Sequence, residues 1–196
     1  MPPTLRQEHR DATRRRIVAA ARKVFVSKGY TRATIEDITA AAGVSRATLY
    51  QHFDSKYALL AIATEKMRTE ALEGARQLTD ILIGGDRAEL RRWIEWLLGY
   101  YARNRPMALA GEEAQLSEDK PSELTRTVLQ SLEPWVETWP LELRQEARLR
   151  YELCRLQMRT YMWGRSHTLF PDQELPVDLF TEIWWNTLLA PRAARD

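Results

Sequence analysis

Residues 34–56 read TIEDITAAAGVSRATLYQHFDSK, and the spacing within this segment decides the fold. Its first residue, Thr34, is of a type that caps helix N-termini, and apolar residues such as Ile38 and Ala42 then recur at helical intervals. Gly43 follows, and glycine readily takes the left-handed conformation that ends a helix. We therefore predict a helix that begins after Thr34 and ends at Gly43.

A second, short helix is predicted only a few residues later. Ser45 is its expected N-cap, while Val44, Leu49 and Phe53 can face inward and pack on the first helix. Two helices joined by so short a turn are typical of a helix-turn-helix motif. The sequence therefore predicts a small helical domain with a polar face left over on its second helix.

The polar face of this second helix suggests a nucleic-acid partner. The guanidinium of Arg46 can fork onto the two acceptors of a guanine in the major groove. The methyl groups of Ala47 and Thr48 can touch the methyl of a thymine. These three residues are the candidates for reading bases.

Other donors near the same face are suited to phosphates. Tyr50, His52 and Lys56 can contact the DNA backbone and fix the register without reading sequence. The alternative is that Tyr50 and His52 are ordinary surface residues of a three-helix domain. The candidate DNA-binding residues are Thr34, Ser45, Arg46, Ala47, Thr48, Tyr50, His52 and Lys56.

The same segment, extended to residue 60, resembles the DNA-binding signature of the tetracycline-repressor (TetR) family. The resemblance implies an all-α homodimer with an N-terminal DNA-binding domain. It also implies a larger C-terminal domain that binds a small ligand and then lowers the affinity for the operator. The remaining two thirds of the chain carry no motif of similar quality. Upstream, the resemblance extends through Ile17, Ala20, Ala21, Phe25, Gly29 and Tyr30.

The charge of the 196-residue chain is unevenly distributed. Residues 1–56 hold eleven Lys and Arg against five Asp and Glu, a balance of +6. The totals of 29 and 27 leave eighteen against twenty-two, or −4, for the rest. A polyanion partner is therefore expected at the N-terminal part. The basic residues Arg10, Arg14, Arg15 and Arg16 either add DNA contacts or form a solvated head.

Several absences limit the function classes. No apolar run reaches the roughly 20 residues of a membrane span, and no signal-peptide core is present, so we expect a cytoplasmic protein with no membrane partner. The single cysteine, Cys154, is expected to be a buried structural thiol; a redox sensor is the alternative. The sequence contains no metal-ligand spacing and no catalytic constellation, so we expect no metal, no cofactor and no enzyme activity.

The rest of the chain is predicted to be helical, which makes the protein all-α with about nine helices. We expect a DNA-binding domain at 1–56 and a helical bundle for ligand binding and dimerisation at 57–196. Pro106 is expected to start a helix, and Pro140 to stop one. Beyond the first domain, the predicted helices span about 56–78, 86–103, 106–115, 121–138, 141–166 and 177–189.

The helix predicted over 141–166 is apolar on two faces. One face has Ala147, Tyr151, Cys154, Met158, Tyr161 and Met162, and the opposite face has Leu149, Leu153, Leu156, Thr160 and Trp163. A surface helix of a monomer needs only one apolar face, so a partner subunit is expected to cover the other. The alternative is a helix at the centre of a monomeric bundle. The family resemblance implies a homodimer through the last two helices.

The bundle is unusually rich in aromatic residues, which suit a flat or bulky hydrophobic effector. The alternative is an ordinary core rich in tryptophan. Glu112 and Glu113 would favour a cationic ligand if they faced inward, but a solvated acidic pair is the preferred interpretation. The candidate ligand-binding residues are Trp93, Trp96, Tyr100, Met107, Trp135 and Trp163.

Three functions are consistent with these features. The favoured one is a transcriptional repressor that leaves a palindromic operator when a small hydrophobic or aromatic effector, not identified by the sequence, binds the C-terminal domain. A second is a DNA-binding regulator without a small-molecule ligand. A third is an all-α enzyme with a vestigial DNA-binding domain, which the intact donors on the recognition helix argue against.

Overall fold

A computed structural model describes residues 4–119, 123–166 and 176–189, without the side chains of 163–166. These residues form ten α-helices, one short 3-10 helix at Leu141–Leu143 and no strand, which confirms the all-α prediction. The helices are α1 (Leu5–Arg32), α2 (Ile35–Ala42), α3 (Arg46–Tyr50), α4 (Lys56–Ala63), α5 (Glu65–Gly84), α6 (Arg87–Ser117), α7 (Glu123–Ser131), α8 (Glu133–Glu137), α9 (Arg144–Ser166) and α10 (Val177–Leu188).

The prediction that Pro106 starts a new helix is wrong, because Pro106 lies inside α6. A proline in a helix interior removes one backbone hydrogen bond and costs about 3 kcal/mol. Here the helix continues because Met107, Ala110 and Ala114 beyond the proline are all buried at helical spacing. The burial of these side chains therefore outweighs the lost hydrogen bond.

The single helix predicted over 56–78 is in fact two helices, α4 and α5. Thr64 separates them, and its hydroxyl donates to the carbonyls of Leu60 at 3.0 Å and Ala61 at 3.1 Å. Such bonds from a threonine to its own backbone compete with the helical ladder. The helix predicted over 121–138 is likewise divided into α7 and α8, whereas α9 and α10 agree with prediction within a few residues.

The chain packs as two compact units. Unit 1 consists of residues 1–69 and 104–122, and unit 2 of residues 70–103 and 123–196. Unit 1 is larger than the predicted DNA-binding domain of 1–56. The reason is that apolar side chains of α4 and of the second half of α6 are buried in the same core as α1 to α3.

The core of unit 1 is built from helices that each contribute one apolar face. Ile17, Phe25, Ile38, Leu49 and Leu59 are completely buried in it. The inward positions predicted for α2 and α3 are therefore confirmed, and the polar side chains between them are left for the surface.

Unit 2 has a larger and more aromatic core. Trp135 and Trp184 are among its fully buried side chains. The hydroxyl of Thr79 on α5 donates to the carbonyl of Ser131 on α7 at 2.8 Å. Arg148 on α9 donates twice to the carboxylate of Glu133 on α8, at 2.9 and 2.6 Å, which lowers the pKa of Glu133 below its usual range.

The two apolar faces predicted on α9 differ in burial. The face with Ala147, Tyr151, Cys154, Met158 and Met162 is buried in unit 2. On the other face the exposed fractions are 58% for Leu149, 56% for Leu153 and 42% for Leu156. A stripe of leucines at helical spacing is thus open on the isolated chain.

A close approach between α5 and α6 requires glycine at position 74. A Cβ placed there would overlap the six-membered ring of Trp96. We expect Gly74→Ala to destabilise the protein by about 1–3 kcal/mol, because Trp96 must leave its rotamer or α5 must shift. Thermal unfolding of the purified variant measures this effect.

Gly111→Ala is the matched control for this substitution. Gly111 also lies inside a helix, α6, but its added methyl would meet no atom within 4 Å. Alanine stabilises a helix interior by about 0.5–1 kcal/mol relative to glycine. The two substitutions should therefore shift the melting temperature in opposite directions, and equal shifts would contradict the packing of Trp96 on Gly74.

The prediction of a buried thiol at position 154 is confirmed, since Cys154 is 2% exposed. Burial raises the pKa of the Cys154 thiol to about 11, so very little reactive thiolate exists at neutral pH. We expect the folded protein to react with a colorimetric disulfide reagent at least about a hundredfold more slowly than the urea-unfolded protein. Comparable rates in the two states would contradict the burial.

No helix within the described ranges is both long enough and apolar enough to span a lipid bilayer.

Candidate nucleic-acid interface

A capping box fixes the start of α2. The amide of Asp37 donates to the hydroxyl oxygen of Thr34 at 3.1 Å, and the amide of Thr34 donates to the carboxylate of Asp37 at 3.1 Å. Reciprocal caps of this kind satisfy backbone donors that a helix start otherwise leaves unpaired. Lys28 on α1 forms an ion pair with the same carboxylate at 2.6 Å. The predicted N-cap at Thr34 is confirmed.

Gly43 makes the turn between α2 and α3. Its backbone is left-handed, with φ 61° and ψ 42°, and its amide donates to the carbonyl of Ala40. The amide of Val44 then donates to the carbonyl of Thr39 at 3.1 Å. Side chains other than glycine are disfavoured at such φ values, so Gly43 sets the angle at which α3 leaves α2.

Ser45 begins α3 as predicted. The amide of Thr48 donates to the hydroxyl oxygen of Ser45 at 3.1 Å, and the two hydroxyls lie 2.8 Å apart. Leu49 and Phe53 anchor the opposite side of the short helix in the core. The outer face of α3 is therefore held in a fixed orientation by one cap and two buried side chains.

Arg46 lies at the first position of α3 and is exposed. One of its guanidinium nitrogens, Nη1, lies 2.6 Å from Oε1 of Glu36 on α2, and both side chains are about two-thirds exposed. The guanidinium also lies over the ring of Tyr50, 5.6 Å from its centroid. An Arg46 that binds a base through Nη1 must exchange this carboxylate for a base acceptor, a competition that the sequence spacing did not reveal.

The other candidate DNA-binding residues of this segment differ in their exposure to solvent. Ala47 and Tyr50 are exposed like Arg46, whereas Thr48 and His52 are half-buried. The His52 ring lies 6.4 Å from that of Phe53. The structure thus presents the first turn of α3 most openly.

Lys56 has a structural contact in addition to its proposed contact with phosphate. Its ammonium donates to the carbonyls of Tyr30 at 2.9 Å and Ala33 at 3.0 Å, and lies 4.2 Å from the centroid of the Tyr30 ring. These bonds satisfy carbonyls at the end of α1. Because an ammonium has three donors, one remains for a phosphate oxygen.

The basic head predicted at 10–16 is helical in the structure, as part of α1. The guanidinium of Arg14 lies 5.3 Å from the centroid of the Phe53 ring, which places it beside the helix-turn-helix. A signal for this contact exists in the sequence. Arg14 precedes the buried Ile17 and Ala21 by three and seven residues, and so shares their helix face.

The C-terminal end of α1 is held by two glutamates from distant positions in the chain. The amide of Thr31 donates to the carboxylate of Glu113 on α6 at 2.9 Å. The hydroxyl of Tyr30 donates to Glu118, which follows α6, at 2.7 Å, and burial together with this bond raises the pKa of the Tyr30 phenol. Glu113 is half-buried, and sequence reasoning did not predict its bond to Thr31 because only the tertiary fold brings the two residues together.

Comparison with known proteins agrees with this geometry. Residues 17–62 match the model of the bacterial regulatory proteins of the tetR family. Over 68 residues the chain is 40% identical to the HTH-type transcriptional activator FasR of Mycolicibacterium smegmatis, a match that covers 35% of this chain and 31% of FasR. The helix-turn-helix segment of this chain therefore matches the TetR family. The resemblance noted in the sequence is thereby confirmed.

A second relative of this chain is the HTH-type transcriptional repressor Rv1474c of Mycobacterium tuberculosis. It is 36% identical over 76 residues, which cover 38% of this chain and 41% of the repressor. The chain thus spans less than half the length of either relative. One of these relatives is named an activator and the other a repressor, so the shared N-terminal part does not distinguish the two actions.

Solved structures of TetR-family proteins share the fold over nearly the whole chain. A TetR family transcription regulator from Marinobacter aquaeolei VT8 has a TM-score of 0.60 at 18% identity, covering 94% of this chain and 98% of that one. A tetR-family regulator from Streptomyces coelicolor has a TM-score of 0.65 at 20% identity, covering 95% and 84%. At such low identity the likeness concerns the fold alone.

The candidate ligand-binding residues do not all belong to the same unit. Trp93, Trp96 and Tyr100 are neighbours on α6, with ring centroids 6.0 Å apart for the two tryptophans and 5.6 Å apart for Trp96 and Tyr100. Trp135 on α8 is in the same core but pairs with Trp139, at 5.7 Å. Met107 packs in the core of unit 1.

The last candidate, Trp163, lies on α9, but its side chain is outside the described residues. Among the described side chains, four of the candidates thus lie in unit 2 as two aromatic groups, and Met107 lies in unit 1. Aromatic composition alone could not show this division, because it depends on which unit each part of α6 joins.

The helix-turn-helix should lose stability in acid through Asp37. The bond from Lys28, followed by those from Thr34, holds the pKa of the Asp37 carboxyl below its usual range. A carboxyl with a lowered folded-state pKa stabilises the fold above its unfolded-state pKa, and the effect is lost as the pH falls towards the folded-state value.

We therefore expect the melting temperature of Asp37→Asn to fall less steeply than that of the native protein between about pH 6 and about pH 3. Lys28→Met is the companion variant, because it removes the main cause of the lowered pKa and should flatten the same curve in part. Parallel curves for all three proteins would contradict the role of the capping box.

Proposed function

We propose that this protein is a sequence-specific DNA-binding transcriptional regulator without enzyme activity, which acts in the cytoplasm. The observation that carries the proposal is the exposed first turn of α3. There Arg46 and Ala47 are open to a ligand while Ser45 and Leu49 fix the helix. A recognition helix enters the major groove with its N-terminal residues against the base edges. Arg46 and Ala47 lie at this N-terminal end of α3.

We propose that the protein binds DNA as a homodimer through α9 and α10. The open leucine stripe of α9 supports this arrangement, and Leu179 on α10 is also 56% exposed. A two-fold dimer presents two recognition helices about one DNA turn apart and therefore reads a palindromic site. The partner copy would remove from water the leucines that the isolated chain leaves open.

We further propose that the regulator is a repressor controlled by a small hydrophobic or aromatic effector in unit 2. The aromatic neighbours Trp93, Trp96 and Tyr100 support this part. An effector releases DNA only if it binds the DNA-free conformation better than the DNA-bound one. A regulator without an effector, its core filled by its own tryptophans, is the competing outcome of the tests.

The primary test is selection from a pool of random duplexes at low salt. We expect the purified protein to enrich an inverted repeat whose half-site centres lie about 10 base pairs apart. A reporter gene placed behind the selected site should be repressed in bacteria that express the protein. Increased reporter expression would identify an activator, and a pool without any enriched sequence would contradict the proposed function.

A further inference from the structure

Three buried tryptophans of unit 2 have indole N–H groups without a hydrogen-bond partner among the residues that the structure describes. They are Trp135, Trp139 and Trp184, which are 0%, 3% and 1% exposed. Their neighbour Trp93 differs, because its indole donates to the carbonyl of Gly74 at 2.8 Å. A buried donor without an acceptor is unfavourable, since it has given up water without a replacement.

Trp184 is the one of the three that lies within a wider group of aromatic side chains. Its ring centroid lies 5.4 Å from that of Trp93 on α6 and 6.3 Å from that of Tyr151 on α9. Trp93 in turn lies beside Trp96, followed by Tyr100. We call these five side chains the Trp184 cluster. Three helices thus contribute flat rings around one unused donor.

The interior around the Trp184 cluster carries no formal charge. None of the buried residues that the structure describes in unit 2 is ionic, and the two buried threonines, Thr79 and Thr181, donate to backbone carbonyls. Burial raises the pKa of the phenols of Tyr100 and Tyr151, so both stay protonated at neutral pH. The interior therefore offers rings and neutral groups to a ligand.

From this combination we propose that the indole N–H of Trp184 is the polar anchor of the effector site, an inference that rests on the proposed ligand control. The effector is an uncharged, ring-bearing molecule with a carbonyl or ether oxygen that accepts the hydrogen bond from Trp184. Its rings lie against the Trp184 cluster, and its oxygen pairs the unused donor.

The same interior disfavours charged effectors. A carboxylate or an ammonium ion loses its hydration on burial and needs an opposite charge to compensate. The glutamates considered in the sequence for a cationic ligand belong to unit 1, where Glu113 already accepts from Thr31. A neutral acceptor is the polar group that this core can bind without a counter-charge.

Benzophenone and diphenylmethane form a suitable pair of probes. They have the same two rings and similar shape, but only benzophenone has a carbonyl oxygen. We expect both to bind the purified, DNA-free protein in titrations followed by calorimetry. In the native protein, benzophenone should bind more tightly than diphenylmethane. This preference, measured as the ratio of the two dissociation constants, should be about fivefold to tenfold smaller in Trp184→Phe.

Trp93→Phe is the matched control. It removes an indole from the same cluster, but one whose N–H is already bound to Gly74. This variant should keep the preference for the carbonyl and should melt at a lower temperature than the native protein. Trp184→Phe also leaves a cavity but removes an unpaired donor, so its melting temperature without probe should fall less than that of Trp93→Phe.

A measurement on the native protein avoids any dependence on how the variants fold. In a nitrogen–proton spectrum with assigned indole signals, benzophenone should shift the Trp184 indole proton downfield and slow its exchange with water. Diphenylmethane should leave that exchange unchanged.

Any of three results would overturn the proposal. The first is that neither probe binds, and the second is that the native protein and Trp184→Phe prefer benzophenone over diphenylmethane to the same extent. The third is that this preference is lost in Trp135→Phe and not in Trp184→Phe. These titrations contain no DNA and so are independent of the regulatory role. If benzophenone binds through Trp184 but leaves the complex with the selected duplex intact, the site is supported and ligand-controlled release fails. If no duplex is selected, the proposed function fails whatever the titrations give.

Discussion

Replacing Leu153 with glutamate is expected to convert a dimer into a monomer and to weaken binding to the selected palindrome by about a hundredfold or more. Leu153 lies at the middle of the open stripe on α9, between Leu149 and Leu156. A carboxylate placed there would have to be buried without a partner when two copies meet. Each monomer would then bind one half-site without the gain from the second.

Analytical ultracentrifugation at micromolar concentration and gel retardation measure the two effects. Leu116→Glu is the matched control, because Leu116 on α6 is 86% exposed and belongs to unit 1, whereas α9 belongs to unit 2. This control should remain dimeric and bind DNA normally. A native protein that is already monomeric would contradict the proposed interface, as would a Leu153→Glu variant that remains dimeric.

The second large effect is expected from Arg46→Ala. Removing a forked arginine–guanine contact costs about 1–3 kcal/mol, or roughly fivefold to 150-fold in affinity, and relaxes the preference at one position of each half-site. Selection from random duplexes with the variant would show that position as degenerate while the rest of the palindrome is retained. Equal losses on the selected site and on random DNA would contradict a base-reading role.

A substitution at Glu36 tests the contact between Arg46 and DNA with the opposite expected change in affinity. Its carboxylate pairs with Arg46 at 2.6 Å and adds negative charge beside the proposed DNA surface. Glu36→Gln keeps the size of the side chain but removes that charge, so we expect DNA to bind more tightly. Weaker binding would show instead that Glu36 orients Arg46 for the base.

Lys56→Ala should affect DNA binding differently from Arg46→Ala and Glu36→Gln. It should weaken binding to all duplexes to a similar extent and make the salt dependence shallower by about one counterion. The structure adds a second expected effect. The loss of the bonds to Tyr30 and Ala33 should also lower the melting temperature. A change that affects one sequence position alone would contradict the phosphate role.

The local features of the helix-turn-helix could be predicted from the sequence because each depends on neighbours in the chain. The cap at Thr34, the turn at Gly43 and the cap at Ser45 all join residues at most three or four positions apart. The buried positions of α3 followed from its helical period in the same way. For Cys154 and the leucines of α9, periodicity likewise separated the buried face from the open one.

The contacts of the candidate site's charged side chains could not be predicted in this way. Arg46 pairs with Glu36 across a turn, Lys56 binds carbonyls at the end of α1, and Glu113 binds Thr31 from far along the chain. No period relates these pairs, because their distances depend on how separate helices pack.

The continuity of α6 through Pro106 also required the tertiary structure. Local propensity predicted that a helix would end before this proline. Propensity differences amount to a few kcal/mol, and the burial of side chains beyond Pro106 is large enough to override them.

By itself, the sequence determined that this chain is all-α, that residues 34–56 form a helix-turn-helix, and that its basic half is the N-terminal one. These properties follow from interactions between residues a few positions apart and from the sum of charges. Only the tertiary structure decided that 104–119 packs with the DNA-binding helices, that Met107 packs in the core of unit 1, and that the Trp184 indole has no partner among the described residues. These properties depend on contacts between distant segments, which form only when the whole core is buried.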